Sequence, residues 1–185
     1  QVRQFRPRLV ALNNREAARQ LRERLRASEG NAPPHNQVEV LSGAEGILAI
    51  ATMEEVDVVL EAIGGSAGLL PTLEAIKAGK DLAFVNKEVL VMGGSLVMQA
   101  VKAHGVHLLP VDSEISAIFQ CLSESTENNQ THSEIYRLIL TASGGPFRQT
   151  PLEELHSVTP QQALKHPNWK MGDKITIDSA TMMNK

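Results

Sequence analysis

The first 110 residues alternate short, unbroken apolar runs with helical patterns, and no other feature constrains the fold as strongly. "RLVAL" (8–12), "QVEVLSG" (37–43), "VDVVLEAI" (56–63), "DLAFV" (81–85) and "VHLLPV" (106–111) each read as a strand. Between them "NREAARQLRERLRA" (14–27), "AEGILAIATM" (44–53), "LLPTLEAIKAG" (69–79) and "KEVLVMGGSLVMQAVKAHG" (87–105) read as helices. Asn13 or Asn14 is placed to cap the first helix, and Gly79 to close the third. Gly93 and Gly94 interrupt the fourth. Strands that are apolar on both faces must be covered on both, and crossover helices do this in a parallel sheet. The expected class is therefore α/β, with a Rossmann-like, mostly parallel sheet. Such sheets take ligands outside the carboxyl ends of their strands. Here those ends carry "GGSAG" (64–68), "NKE" (86–88) and "DSE" (112–114).

The pattern changes near residue 110. "SAIFQCL" (116–122) is helical, and "SESTENNQTHS" (123–133) has no apolar residue and reads as a surface loop. "IYRLILTA" (135–142) predicts a strand, "PLEELHSV" and "TPQQALKH" predict short helical pieces opened by proline, and "KITIDSATM" alternates like a half-buried strand. This predicts an α/β domain over 1–110 and the first part of a second, α+β domain over 111–185.

Composition removes several classes. A net charge of −3 gives no nucleic-acid footprint. No apolar run has transmembrane length. Aromatics make up 3% of the chain, which leaves the core to Leu, Ile, Val, Ala and Met. Arg3, Arg6, Arg8, Arg15, Arg19, Arg22, Arg24 and Arg26 crowd the start; with Glu16 and Glu23 at helical spacing they predict a solvated helix face. The single cysteine, Cys121, forms no disulfide within the chain and is expected as a buried, inert thiol. The chain opens on Gln1 inside a pattern, which reads as a segment of something longer.

Six stretches offer chemistry, all but the last with a plainer alternative. "GGSAG" lets a ligand approach the backbone at a helix N-terminus, or is a tight turn. In "NKE", Lys87 is a polar anchor, or Asn86 simply caps a helix. In "VDSE" (111–114) an extended backbone would aim Asp112 and Glu114 at one point, where two carboxylates suit Mg2+ or Mn2+. The alternative is a helix cap at Asp112 or Ser113. "ASGGPF" (142–147) offers Ser143 and a glycine cradle, or an ordinary turn. In "HPNWKMG" (166–172) Trp169 belongs to a lid or staples a loop. Ser179, Asn184 and Lys185 in "DSATMMNK" combine hydroxyl, amide and ammonium into an anion pocket.

Four strings, in order, resemble the 1-deoxy-D-xylulose 5-phosphate reductoisomerase family: "GLLPTLEAIKAGKDLAFVNKE", "LLPVDSEISAIFQCL", "LTASGGPFR" and "HPNWKMGDKITIDSATMMNK". The resemblance is strong over residues 57–185 and weaker before. It implies NADPH- and metal-dependent conversion of 1-deoxy-D-xylulose 5-phosphate to 2-C-methyl-D-erythritol 4-phosphate, in non-mevalonate isoprenoid biosynthesis. By the same resemblance Asp112 and Glu114 are metal ligands, for Mg2+ or Mn2+. Lys87, Ser113, Glu114, Ser143, His166, Trp169, Ser179, Asn184 and Lys185 contact substrate, with Lys87, Glu114 and His166 nearest the chemistry. Asn86, Glu88 and Gly172 touch NADPH. A homodimer in the bacterial cytoplasm, rather than a plastid, is implied, with no nucleic acid or membrane partner.

The family's opening strand and Gly-rich phosphate loop, the loop after it, the third metal carboxylate and the helical carboxyl-terminal domain have no counterpart in these 185 residues. The expectation is a middle piece, inactive by itself. Two other functions fit parts of the pattern: a different NAD(P)-dependent dehydrogenase, or a non-catalytic sugar-phosphate-binding module.

Overall fold

The computed structural model describes residues 1–29, 38–123 and 135–181. They divide into two units, Gln1–Leu109 and Pro110–Lys185.

The first unit is α/β. After a short helix, α1 (Val2–Phe5), come β1 (Leu9–Leu12), α2 (Arg15–Glu29), β2 (Glu39–Ser42), α3 (Gly43–Ala51) and β3 (Val58–Glu61). A 3-10 turn over Gly65–Gly68 leads into α4 (Leu69–Lys77), β4 (Asp81–Phe84), α5 (Lys87–His104) and β5 (Leu108–Pro110). β1 and β2 pair in parallel, and β3, β4 and β5 form a second sheet in which β3 and β4 are parallel. The expected alternation is present, but as ladders of two and three strands. Nor is β3 covered on both faces, because Val58 and Leu60 are exposed.

Local chemistry sets the element ends. Asn14 Oδ1 accepts from Ala17 N at 2.9 Å and so caps α2. Arg19 bonds both Glu16 and Glu23 along that helix, as the charge spacing predicts. α5 ends at Gly105, in the left-handed region, and Gly93 leaves helical geometry inside it at φ −136°. Two apolar clusters hold the unit. One joins Ile76, Leu82, Phe84, Val89, Val97 and Val106, and the other joins Ala18, Leu25 and Val40. Each fully buried Leu, Ile or Val contributes about 1.5–3 kcal/mol. Phe84 belongs to this core, whereas no Met is among the buried apolar side chains of the described residues, so methionine does not play its expected part.

The second unit contains α6 (Ser113–Ser123), a 3-10 stretch (Leu152–Ser157), α7 (Pro160–Ala163) and α8 (Asp173–Ser179). Thr159 and Gln162 close a reciprocal capping box on α7, with Pro160 at its first position. Three expectations fail here. "KITIDSATM" is mostly helix: Gly172 caps it, and Lys174 bonds Asp178 one turn on at 2.5 Å, so the local pair follows helical spacing rather than alternation. "IYRLILTA" forms no strand, because no described segment supplies its ladder; Tyr136 is 96% exposed. Cys121 is exposed, since it lies on the outward side of α6 rather than in a core. Apart from Ser123, the polar loop 123–133 falls outside the described residues, as do Asn184 and Lys185.

Candidate functional site

In the first unit, candidate residues gather at the carboxyl ends of β3 and β4. Asn86 follows β4 and caps α5, its Oδ1 accepting from Val89 N at 3.4 Å. Its Nδ2 donates to Gly65 O at 3.0 Å and, over a shorter contact, to Ile63 O. Asn86 is thus buried and its side chain turned into the protein, where it holds the turn after β3. Lys87 and Glu88 follow, half-buried, in the first turn of α5.

Glu61, the last residue of β3, completes this knot. Its Oε1 accepts from Ile63 N at 3.0 Å, and burial pushes its carboxyl pKa up despite hydrogen bonds from Ile63 and Asn86. Glu61 was not among the expected site residues. The available signal was an acid inside the otherwise apolar run "VDVVLEAI", beyond its opening Asp57.

In the second unit Asp112 and Glu114 stand at the start of α6. Ser116 N donates to the Asp112 carbonyl at 2.8 Å, so Asp112 sits in the cap position and Glu114 in the first turn. The extended alternation expected for "VDSE" is therefore wrong. A helix turns about 100° per residue, and the two carboxylates share a helix end rather than a strand face. That end favours negative charge. Asp112 Oδ1 is shielded from solvent, while Ser113 is exposed. As a donor set, two hard carboxylates suit Mg2+ or Mn2+. Among the described residues no third His, Cys, Asp or Glu joins them.

The tightest constellation unites Ser143, His166, Trp169 and Ser179. His166 Nδ1 lies 3.2 Å from the backbone N of both Asn168 and Trp169 and accepts from them. Nδ1 is then the unprotonated nitrogen, and Nε2–H donates to Ser143 Oγ at 2.9 Å. Ser143 Oγ donates onward to Ser179 O at 2.9 Å, the same carbonyl that accepts from Ser143 N. The His166 and Trp169 rings stack, 4.9 Å apart at 17°. Trp169 is exposed at 56%, so it staples nothing to a core and lies as an outer layer on His166. The Ser143 turn reaches α8 through Gly145: at φ +60°, a Cβ there would stand 2.5 Å from Ala180 Cβ. Gly172, the cap of α8, is exposed.

The family model described as 1-deoxy-D-xylulose 5-phosphate reductoisomerase matches residues 1–94, and that of the same enzyme's C-terminal domain matches 108–185. The reductoisomerase of Chlorobaculum tepidum is 55% identical over all of this chain and 45% of its own length. That of Methylococcus capsulatus is 52% identical over all of this chain and 46% of its own. The chain thus spans less than half the length of these relatives. A crystal structure of DOX-P reductoisomerase with NADPH, fosmidomycin and magnesium superposes with a TM-score of 0.82 at 40% identity, over 99% of this chain and 44% of that one. The Zymomonas mobilis enzyme with NADPH gives 0.80 at 42% identity, over 99% of this chain and 43% of that one. This chain belongs to the 1-deoxy-D-xylulose 5-phosphate reductoisomerase family.

Proposed function

We propose that these residues form part of an NADPH- and divalent-metal-dependent reductoisomerase that converts 1-deoxy-D-xylulose 5-phosphate to 2-C-methyl-D-erythritol 4-phosphate. Residues 1–110 serve the cofactor and residues 111–185 the metal and substrate. The observation that carries this reading is the Ser143–His166–Ser179 network. It joins residues from two of the matching strings into one polar cluster beneath an exposed Trp.

Each residue takes a role from its surroundings. The family resemblance assigns Ser143, Ser179 and Asn184 to the phosphate side and Lys185 to the substrate pocket. His166 presents Nε2–H toward that side, its tautomer fixed by the two backbone N–H groups at Nδ1. Trp169 lies over the ligand and excludes water. The resemblance assigns Lys87, Ser113 and Glu114 to the substrate's oxygens. Asp112 and Glu114 hold Mg2+ or Mn2+, which supplies Lewis-acid polarisation of adjacent substrate oxygens. The resemblance assigns Glu88 and Gly172 to NADPH. Asn86 serves the cofactor indirectly, through the turn it holds. A homodimer in the bacterial cytoplasm follows from the family resemblance; among the described residues no helix is long and apolar enough to cross a membrane.

The test is calorimetric titration of fosmidomycin into a reductoisomerase of full family length that carries these residues. Binding should require Mg2+ or Mn2+. Equal affinity after chelation with EDTA would overturn the Asp112/Glu114 assignment.

A further inference from the structure

Glu61 is 3% exposed, and its Oε2 has no hydrogen-bond partner among the described residues. A carboxyl in such a position is costly unless it does something for its neighbours. Its neighbours are three element ends. Ile63 N donates to Oε1 at 3.0 Å. Asn86 Nδ2 closes on the same point, since a Cβ on Gly68 would stand 2.6 Å from it. A Cβ on Gly68 would stand 2.5 Å from Oε1, so the foot of α4 is pressed against the same group. In the sheet Glu61 is level with Phe84, and Val85 N donates to Glu61 O at 2.9 Å. The carboxyl therefore touches the end of β3, the turn before α4 and the start of α5.

We propose that Glu61 is a positioning residue for the cofactor side of the site: its carboxyl ties the Ile63–Gly68 turn to Asn86 and so fixes the first turn of α5. This rests on the reading above, in which Lys87 and Glu88 of that turn face ligands. Glu61 itself is too deep to touch either ligand. It acts through backbone placement, where a small displacement at α5 moves both ligand-facing side chains together.

Charge sharpens the role. Burial and the Glu88 carboxylate push the Glu61 pKa up from its ordinary value, while Ile63 and Asn86 oppose this. Glu88 is the charged group facing it from α5. β4 offers Phe84, and the turn offers the backbone of Ile63 and Gly68. A carboxyl whose folded pKa lies above its unfolded one supports the folded arrangement fully below the unfolded pKa. That support is lost as pH rises through the folded pKa. The knot should loosen as pH rises above the ordinary carboxyl range.

The experiment measures NADPH affinity against pH in a reductoisomerase of full family length carrying these residues. It compares the unsubstituted protein, Glu61→Ala and Glu61→Gln. Glu61→Ala should raise Kd about tenfold. Glu61→Gln keeps an oxygen for Ile63 N–H and cannot ionise. It should restore most of the affinity and remove the part of the loss with rising pH that the unsubstituted protein shows. Kd within about twofold for Glu61→Ala, or Glu61→Gln as weak as Glu61→Ala, would overturn the proposal. If Glu61→Ala fails to fold, the pH profile of Glu61→Gln decides: a profile matching the unsubstituted protein overturns it. Exchange of the Ile63 amide, expected to quicken about tenfold in Glu61→Ala, reads the knot without NADPH. An unsubstituted protein that bound no NADPH while this exchange changed as expected would point to failure of the functional reading instead, and unchanged exchange would overturn the knot itself.

Discussion

Gly68→Ala separates packing from backbone preference. Gly68 lies at φ −76° and ψ −17°, ordinary right-handed geometry in which alanine is favoured by about 1 kcal/mol. Propensity alone thus expects a gain. Packing expects the reverse. The added Cβ would stand 2.5 Å from Glu61 Oε1, 2.6 Å from Asn86 Nδ2 and 2.8 Å from Ile63 O. Overpacking of a tight interior costs about 1–3 kcal/mol. The atoms that must move also carry the Ile63–Glu61 and Asn86–Gly65 hydrogen bonds, worth about 1 kcal/mol each. The balance is a loss of about 2 kcal/mol. Gly64→Ala is the control, since Gly64 has φ −63° and nothing within 4 Å of its added Cβ. It should be neutral, or stabilise by about 0.4–1 kcal/mol through the unfolded chain. Urea unfolding followed by circular dichroism reads both. With a slope of about 2 kcal/mol per molar urea, Gly68→Ala should lower the midpoint by about 1 M. Equal midpoints for the two variants would refute the claim that the Glu61–Asn86 knot is closed against one more methyl group.

Asn14→Ala removes the cap of α2 and should cost about 1 kcal/mol in the same unfolding assay, while Asn14→Asp should restore most of it. Arg19 holds the Glu16 carboxyl down at about 2, so Glu16 supports the fold above its unfolded value and loses that contribution as pH falls toward 2. Carboxyl NMR should show Glu16 titrating near 2, and Arg19→Ala should move it back up; a Glu16 insensitive to Arg19 would contradict the ion pair. Cys121 should react with a thiol reagent in native buffer nearly as fast as in urea, whereas slow native labelling would return it to an interior.

Most of the first unit was legible because its signals are local and agree with one another. An apolar run such as "DLAFV" has one use in a globular chain, and Asn14 and Asn86 mark helix starts by their own side chains. Gly93 bends α5 where the glycine pair stood. The second unit reads less well because its periodicities are short. Seven residues of "DKITIDS" satisfy two patterns, and the Lys174–Asp178 pair with the Gly172 cap decides for helix. "IYRLILTA" has strand composition but, among the described residues, no ladder. A strand depends on another segment, which composition does not reveal. The carboxylates of "VDSE" were found by type, and of the two geometries offered for them the helix cap at Asp112 holds and the extended one does not. Ser143, His166 and Ser179 were named separately, and only the fold joins them by hydrogen bonds. Glu61 was missed because a lone acid in a strand carries no motif, and its value lies in Asn86 and Gly68, which are distant in sequence.

The proposed chemistry is tested most directly by NADPH consumption in a reductoisomerase of full family length that carries these residues, with and without Ser143→Ala. NADPH absorbance should fall only when 1-deoxy-D-xylulose 5-phosphate and Mg2+ or Mn2+ are both present. Ser143→Ala removes a hydroxyl bonded to both His166 and Ser179. Loss of the polar contact proposed to the charged substrate phosphate, about 1.5–3 kcal/mol, should lower kcat/KM about 10–100-fold, mainly through KM. Turnover that persists after metal chelation, no turnover under any condition, or a Ser143→Ala enzyme with unchanged kcat/KM would contradict it.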